Sequence, residues 1–320
     1  MPAPTKFLTD GAGRVVTSTR RPATVSEALR WARDALVAAG PEATDTPGLD
    51  ADVLLRHVLG WERSDLFTRD HEAVSPTVWR RFRALVERRA RAEPVAYLIG
   101  VREFAGLLFR VDRRVLIPRP DTEILLEVAI KRLAPLGGSG RAADVGTGSG
   151  AIAISLARAC PSAVVHAIDI DAGALRVARG NARRLGTSRQ LRVHLGDGLQ
   201  AARARVDVVC ANLPYLPVDT ISGLDPTVRD WEPHLALAGG ADGLDPYRSL
   251  LRDTPRLVRS GGSILMECDP TQIGALSDLA RHAHPDADLI VHRDLAGRDR
   301  VVEARLPGSQ RASQPPTKSQ

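Results

Sequence analysis

The sequence predicts an α/β fold, a doubly wound parallel sheet of the Rossmann-like kind preceded by a small helical bundle. Three observations carry this. From residue 141 onward, short apolar runs rich in β-branched residues alternate with helical periods, as parallel strands and their crossover helices do. The first of these strands runs into a glycine-rich turn, Gly146-Thr-Gly-Ser-Gly150, that opens a helix. Residues 23–93, in contrast, carry only helical periodicity.

Taken in order, residues 1–22 are polar and rich in Gly, Thr and Arg, and are expected to be disordered. The first helix starts at a capping box, Thr24-Val-Ser-Glu27, presents Leu29, Ala32, Leu36 and Ala39 on one face, and stops at Gly40-Pro41. A second helix carries Leu54, Leu55 and Val58 and ends at Gly60. A third starts at Ser75 with Pro76 in its first turn and buries Val78, Phe82, Leu85 and Val86. Its other face holds Arg80, Arg81, Arg83, Arg88, Arg89 and Arg91 against Glu87 alone. That face is either solvated or a docking surface for a charged partner.

After Pro94 the pattern changes to short strands at 96–100 and 103–111, read as a hairpin linker over 94–118. A Pro-stiffened stretch, Leu116-Ile-Pro-Arg-Pro-Asp-Thr-Glu123, then opens a helix that Asp121 or Thr122 can cap. The expected sheet domain spans 119–306. Its strands lie near 141–145, 163–168, 191–195, 206–211, 262–267, 288–292 and 299–305, with helices at 150–159, 172–185, 247–258 and 271–282. The tail from 307 to 320 is low in complexity and expected to be disordered.

The bulk numbers bound the function. In 320 residues, 43% hydrophobic and 26% charged, there is ample core for a large domain and a smaller one. The formal charge is +6, but the positive charge is nearly all Arg, with Lys6, Lys131 and Lys318 the only lysines. Such a bias fits a GC-rich genome and weakens the case for nucleic acid. Cys160, Cys210 and Cys268 are far apart, with no metal-ligand spacing, so reduced buried thiols and no metal are expected. No run approaches the ~18 apolar residues of a membrane span, and the N-terminus lacks the apolar centre of a signal peptide, so a cytoplasmic protein is expected.

Two stretches carry chemistry. In Asp144-Val-Gly-Thr-Gly-Ser-Gly150, Gly146, Gly148 and Gly150 let backbone approach a ligand closely, with Thr147 between them and helix N–H donors beyond. The spacing is not that of a pyrophosphate-reading G-x-G-x-x-G, and Asp144 favours a sulfonium or ammonium group over phosphate. Nineteen positions past Gly150, Asp169 ends the next strand, suited to ribose hydroxyls, and Asp197 ends the third, suited to an adenine amine. Together they describe S-adenosylmethionine held along the strand ends. The second stretch is Val206–Ala211, a buried strand stopped by Asn212-Leu-Pro-Tyr215, because Pro214 cannot donate to a sheet. Asn212 Oδ1 and a loop carbonyl can accept both hydrogens of a planar amide, and Tyr215 can pack on its face. The plain alternative is a turn whose Asn satisfies backbone groups.

With these residues the chain resembles the PrmC/HemK family of protein glutamine methyltransferases. The likeness runs over about residues 24–305 and includes Glu93-Pro-Val-Ala-Tyr-Leu-Ile-Gly100, the 116–123 stretch and Glu232-Pro-His-Leu-Ala-Leu-Ala-Gly-Gly-Ala-Asp-Gly-Leu244. The resemblance implies a class I S-adenosylmethionine-dependent fold acting on the Gly-Gly-Gln loop of class I peptide-chain release factors. It makes Asn212, Leu213, Pro214 and Tyr215 the catalytic and substrate-binding loop, with Glu123 beside it, and it implies a monomer that requires no nucleic acid. Leu213 stands where the family has its first proline, which restores an N–H and frees φ; replacing it with proline is expected to be tolerated. The alternatives are a DNA adenine methyltransferase, which uses a similar loop on a flipped base, and a non-catalytic RNA- or ribosome-binding protein.

Overall fold

The computed structural model describes residues 8–9, 15–16, 21–137 and 140–308. The expectations of disorder at 1–22 and 307–320 fall almost wholly outside these residues; within them, β1 (Leu8–Thr9) pairs antiparallel with β2 (Val15–Val16). The chain forms two compact units. One comprises residues up to Val101 together with Ser222–Glu232, the other Arg102–Ile221 and the residues from Pro233 on.

The first unit is a helical bundle of α1 (Val25–Ala39), α2 (Pro47–Leu59), α3 (Asp65–Thr68), α4 (Pro76–Arg89) and α5 (Val95–Ile99). Thr24 caps α1 by accepting from the Glu27 N–H at 3.3 Å, and Ser75 caps α4 by accepting from the Val78 N–H at 3.3 Å. Leu36, Leu54, Leu55 and Phe82 are fully buried at its centre. Trp79 also faces inward, with its ring 4.6 Å from Trp31 edge to face, while Val78 packs half-buried against the same cluster.

The arginine face of α4 divides. Arg89 is buried and pairs with Asp50 at 2.6 Å, and the Thr44 hydroxyl donates to the same Asp50 oxygen at 2.7 Å. Arg88 forks onto the nearly buried Glu93 carboxylate, and Arg83 reaches Glu87 at 2.7 Å. Arg88 and Arg89 therefore hold the bundle together; removing one partner of a buried pair typically costs ~3–5 kcal/mol. Arg80, Arg81 and Arg91 are the exposed arginines of this stretch.

The strand expected at 96–100 is instead α5. Pro94, at φ −58°, supplies a preset helical entry, and Gly100 ends the turn at φ 75°. The hairpin starts one residue later, β3 (Val101–Phe104) with β4 (Leu107–Arg110). Its Phe104 and Phe109 lie 6.2 Å apart, fully buried in the core of the second unit.

The chain then runs through α6 (Thr122–Leu133), β5 (Arg141–Val145), α7 (Ala151–Ala159), β6 (Val164–Asp169), α8 (Ala172–Arg184), β7 (Leu191–Leu195) and β8 (Val206–Ala211). It continues with α9 (Pro226–Arg229, in the first unit), α10 (Asp245–Leu257), β9 (Val258–Glu267), α11 (Ile273–Ala283), β10 (Asp288–Arg293) and β11 (Asp299–Arg305). Seven strands form one sheet in the order β10-β11-β9-β8-β5-β6-β7. The five from β9 to β7 are parallel, and β10 and β11 add an antiparallel edge. One face packs on α6, α7 and α8 through Leu125, Leu133, Ile154, Leu156 and Ala182; the other packs on α10 and α11 through Leu250, Leu251, Leu276 and Ala280. Strand order reverses between β5 and β8, which pair from Ala142↔Val208 to Val145↔Ala211. Ligands of open α/β sheets bind beyond the strand ends at such a reversal.

Candidate active site

Because β5 and β8 are parallel neighbours in register, the residues that follow them meet. Gly146 follows Val145 and Asn212 follows Ala211, so the glycine turn and the Asn212–Tyr215 loop form opposite lips of one crevice. A cavity of about 390 Å³ opens there, built entirely within the second unit. Gly146, Thr147, Gly148, Asp169, Asp197, Asn212, Leu213 and Pro214 line it. Four expected site residues do not: Asp144, Gly150, Tyr215 and Glu123.

The glycine turn requires its glycines. Gly146 has φ 74°, and a Cβ there would come within 2.9 Å of Leu213 Cδ2. Gly150 has φ 82° and caps α7, where a Cβ would meet Ile154 Cδ1 at 2.7 Å; its role is the turn itself. Asp144 lies beneath the turn, 1% exposed. Its Oδ2 accepts from the Thr147 hydroxyl at 2.6 Å and the Ala153 N–H at 3.1 Å, while Oδ1 has no partner. Burial pushes this carboxyl up to about 7 against those two hydrogen bonds. Asp144 thus braces the turn instead of facing a ligand.

Asp169 spans the crevice floor. Its Oδ2 accepts from the Gly148 N–H at 2.8 Å and its Oδ1 from the Asp171 N–H at 2.9 Å. Each oxygen keeps a lone-pair direction for a further donor. Burial raises its pKa, with these backbone bonds opposing. Asp171 lines the cavity too, while its carboxylate caps α8 through Gly173 and Ala174. Asp197 is exposed at the end of β7.

On the opposite lip, Asn212 Nδ2 donates to the Thr122 hydroxyl at 3.0 Å. Leu213 is held from behind. Its N–H donates to the Tyr247 hydroxyl at 3.2 Å, and that hydroxyl donates on to the Glu267 carbonyl. The expectation that proline would be tolerated at 213 is therefore corrected, because the Leu213 N–H has a buried partner. Tyr215 stands outside the cavity wall, its carbonyl accepting from Gln272 Nε2 at 2.8 Å, and burial pushes its hydroxyl up to about 12. Glu123 accepts from the Ala105 N–H at 3.0 Å, which secures the β3–β4 turn and removes it from the site. Asp121 does not cap α6 either; Arg300 holds it at 2.9 Å and Arg298 at 3.3 Å.

Three contributions escaped the sequence reading. In the sequence Thr122 presents itself only as a helix cap. Tyr247 was hidden in a helix, and Glu267 in an apolar strand, where a lone buried carboxylate was the available signal. The segment 233–249 also lines the cavity through Pro233, Leu235, Ala238 and Ser249. Its glycines allow close approach: a Cβ on Gly239 would meet the Pro214 carbonyl at 2.6 Å.

The donor set suits S-adenosylmethionine. Acceptors at successive strand ends match ribose hydroxyls and an amine, Ile152, Ile168 and Ile170 provide apolar wall, and the charged lining is Asp169, Asp171, Asp197 and Asp245 with Arg114, which is paired to Asp112, and Arg119. No His or Cys is among the residues lining the cavity, and the three cysteines are buried.

Comparison with known proteins agrees. Residues 27–100 match the PrmC N-terminal domain, and residues 120–220 match the methyltransferase small domain. The release factor glutamine methyltransferase of Moorella thermoacetica is 44% identical over 282 residues, covering 88% of this chain and 98% of the relative. The protein of the same name from Cereibacter sphaeroides is 40% identical over 284 residues, covering 89% and 99%. Among solved structures, the hMettl16 catalytic domain in complex with a MAT2A 3'UTR hairpin aligns with a TM-score of 0.51 at 15% identity, covering 66% of this chain and 78% of that one. That likeness concerns the fold alone.

Proposed function

The chain belongs to the release factor glutamine methyltransferase family, and from that premise we propose that it methylates the side-chain amide nitrogen of the glutamine in the Gly-Gly-Gln loop of class I peptide-chain release factors, using S-adenosylmethionine. The observation that carries this reading is the pair of acceptors at the end of β8. Asn212 Nδ2 is engaged by Thr122, which leaves Oδ1 for the cavity. The Tyr247 hydroxyl lies 3.4 Å from the Leu213 carbonyl but much nearer the Glu267 carbonyl, which takes its single proton, so the Leu213 oxygen keeps its accepting capacity.

Gly146, Thr147, Gly148, Asp169 and Asp197 would hold the cofactor. Bound there, S-adenosylmethionine would supply an electrophilic methyl on a sulfonium centre, whose S–CH3 bond breaks as the sulfur leaves as a neutral thioether. An amide nitrogen is a poor nucleophile because its lone pair is delocalised into the carbonyl. Asn212 Oδ1 and the Leu213 carbonyl accept its two hydrogens, aim it at the methyl, and stabilise the positive charge that develops on nitrogen. Pro214 stiffens the loop. With no His or Cys on the cavity wall, the surplus proton leaves to water.

The cavity lies within one unit of one chain, so this reading requires no second copy and no nucleic acid. No helix among the described residues is long and apolar enough to cross a membrane. A release-factor substrate places the reaction in the cytoplasm. The test is incubation of the full chain with S-adenosylmethionine and unmodified release factor, followed by peptide mass spectrometry. One methyl on the Gly-Gly-Gln glutamine is expected. Methylated adenine in added DNA, with none on the factor, would overturn the reading.

A further inference from the structure

Gln272 lies in the short helical turn Pro270–Gln272 between β9 and α11, and its side-chain amide is committed on every side. Oε1 accepts from the Asp269 N–H at 3.3 Å, while Nε2 donates to the Tyr215 carbonyl at 2.8 Å and to the Asp242 carbonyl at 3.0 Å. Three backbone partners fix which way the amide points, since an N–H meets its oxygen and two carbonyls meet its nitrogen. The two carbonyls belong to different stretches of chain. Tyr215 closes the loop that starts at Asn212, and Asp242 lies within the segment 233–249. Asn212–Pro214 and that segment both line the cavity.

Two carbonyl oxygens only accept, so holding them close takes a donor with two hydrogens between them. The approach is close. Gly243 has φ 80°, and a Cβ there would run into the Tyr215 carbonyl and Gln272 Nε2. Both ends of the clamp are anchored in turn. Asp269 caps the turn that carries Gln272, its Oδ1 accepting from the Thr271 N–H at 2.9 Å, and Arg248 of α10 forks onto the Asp242 carboxylate. Beside the clamp, a parallel bridge joins Leu216 to Ala238. There the Gly239 N–H donates to the Leu216 carbonyl at 2.8 Å and the Val218 N–H to the Gly240 carbonyl at 3.1 Å.

We propose that Gln272 is a positioning residue which, by clamping Tyr215 to Asp242, holds the Asn212–Tyr215 loop against the 233–249 wall in the arrangement that methyl transfer needs. This rests on the reading of Asn212 Oδ1 and the Leu213 carbonyl as acceptors for the substrate amide, and it adds what keeps them in place. Gln272 does not line the cavity itself; it acts through the two carbonyls.

The experiment uses the full chain with unmodified release factor. Gln272→Glu keeps the shape and sets an acceptor against two carbonyls; Gln272→Met keeps the length and removes both donors. In each, kcat should fall, by up to about 100-fold, the cost of misplacing reacting groups by about 1 Å. Gln272→Glu should lose more than Gln272→Met, because it adds repulsion; should it fail to fold, Gln272→Met carries the test. Cofactor Kd by calorimetry should be unchanged, since the glycine turn forms the opposite lip. A readout without turnover is amide hydrogen exchange in the cofactor-free protein. Exchange at Gly239 and Val218 should speed by about tenfold or more in the variants, while the amides of β5 keep wild-type protection. Unchanged exchange at Gly239 and Val218 would overturn the clamp whether or not the wild type methylates the factor. Full kcat in Gln272→Met, beside a crippled Asn212→Ala, would overturn the positioning role and leave the glutamine reading standing. A wild type that left the factor unmethylated would end that reading and the positioning role with it.

Discussion

The buried Tyr247 hydroxyl accepts the backbone N–H of Leu213 at 3.2 Å and donates to the Glu267 carbonyl, so a side chain of α10 ties the end of β8 to the end of β9. This tie fixes the lip of the cavity that Leu213 lines. It also explains how the loop stays ordered with leucine, whose φ is free, where proline would fix it.

Leu213→Pro should therefore destabilise the protein. It deletes the N–H that Tyr247 accepts and leaves a buried hydroxyl short of a donor, a cost of roughly 1–3 kcal/mol. Tyr247→Phe should cost a similar amount by orphaning two backbone groups. Denaturant unfolding measures both, and an unchanged midpoint in Leu213→Pro would show the tie to be energetically idle.

Asn212→Ala should leave cofactor affinity nearly intact and lower kcat by on the order of 100-fold or more, as loss of a transition-state hydrogen-bonding group does. Isothermal calorimetry and steady-state kinetics separate the two effects. A variant that turned over at the wild-type rate with saturating release factor would defeat the proposed chemistry.

Asp169→Asn keeps the side-chain shape and removes its charge. Cofactor binding should weaken by roughly 1.5–3 kcal/mol, the usual worth of a charged hydrogen bond. Some of this loss comes through the Gly148 N–H that Asp169 holds. Unchanged affinity by calorimetry would take Asp169 out of the cofactor site.

Asp144 gives a pH dependence of stability with a definite sign. Burial raises its folded-state pKa from 3.8 to about 7. Between those values the folded state keeps a proton that the unfolded state has released, so stability falls as pH rises through this window. Asp144→Asn removes that titration and should flatten the dependence between about pH 4 and pH 7 in chemical unfolding. Identical slopes in wild type and variant would contradict the assignment.

Charge reversal at Arg80 and Arg81, the exposed pair of α4, tests docking without disturbing the bundle, whereas Arg88 and Arg89 are committed to Glu93 and Asp50. A raised KM for release factor at low salt, with unchanged KM for cofactor, is expected if this face docks the substrate. An unchanged KM would make it a solvated surface.

The sequence by itself determined the crevice. Periodicity and the glycine turn are local signals, and parallel strands must all end on one edge. The turn after β5, Asp169, Asp197 and Asn212 could therefore be brought together before any coordinates. Tertiary structure alone decided which side chains face the ligand. Asp144 turns under the glycine loop because β5 is covered on both faces, and Glu123 is drawn to the Ala105 N–H by a hairpin that only three-dimensional packing brings near. The 95–99 stretch, five residues of apolar and β-branched character, had no period long enough to separate strand from helix; Pro94 and Gly100 settled it as α5. Thr122, Tyr247 and the Glu267 carbonyl lie 34 to 90 residues from the loop they support. Their roles come from single hydrogen bonds across the sheet, and no local pattern in a chain encodes which distant donor meets which acceptor.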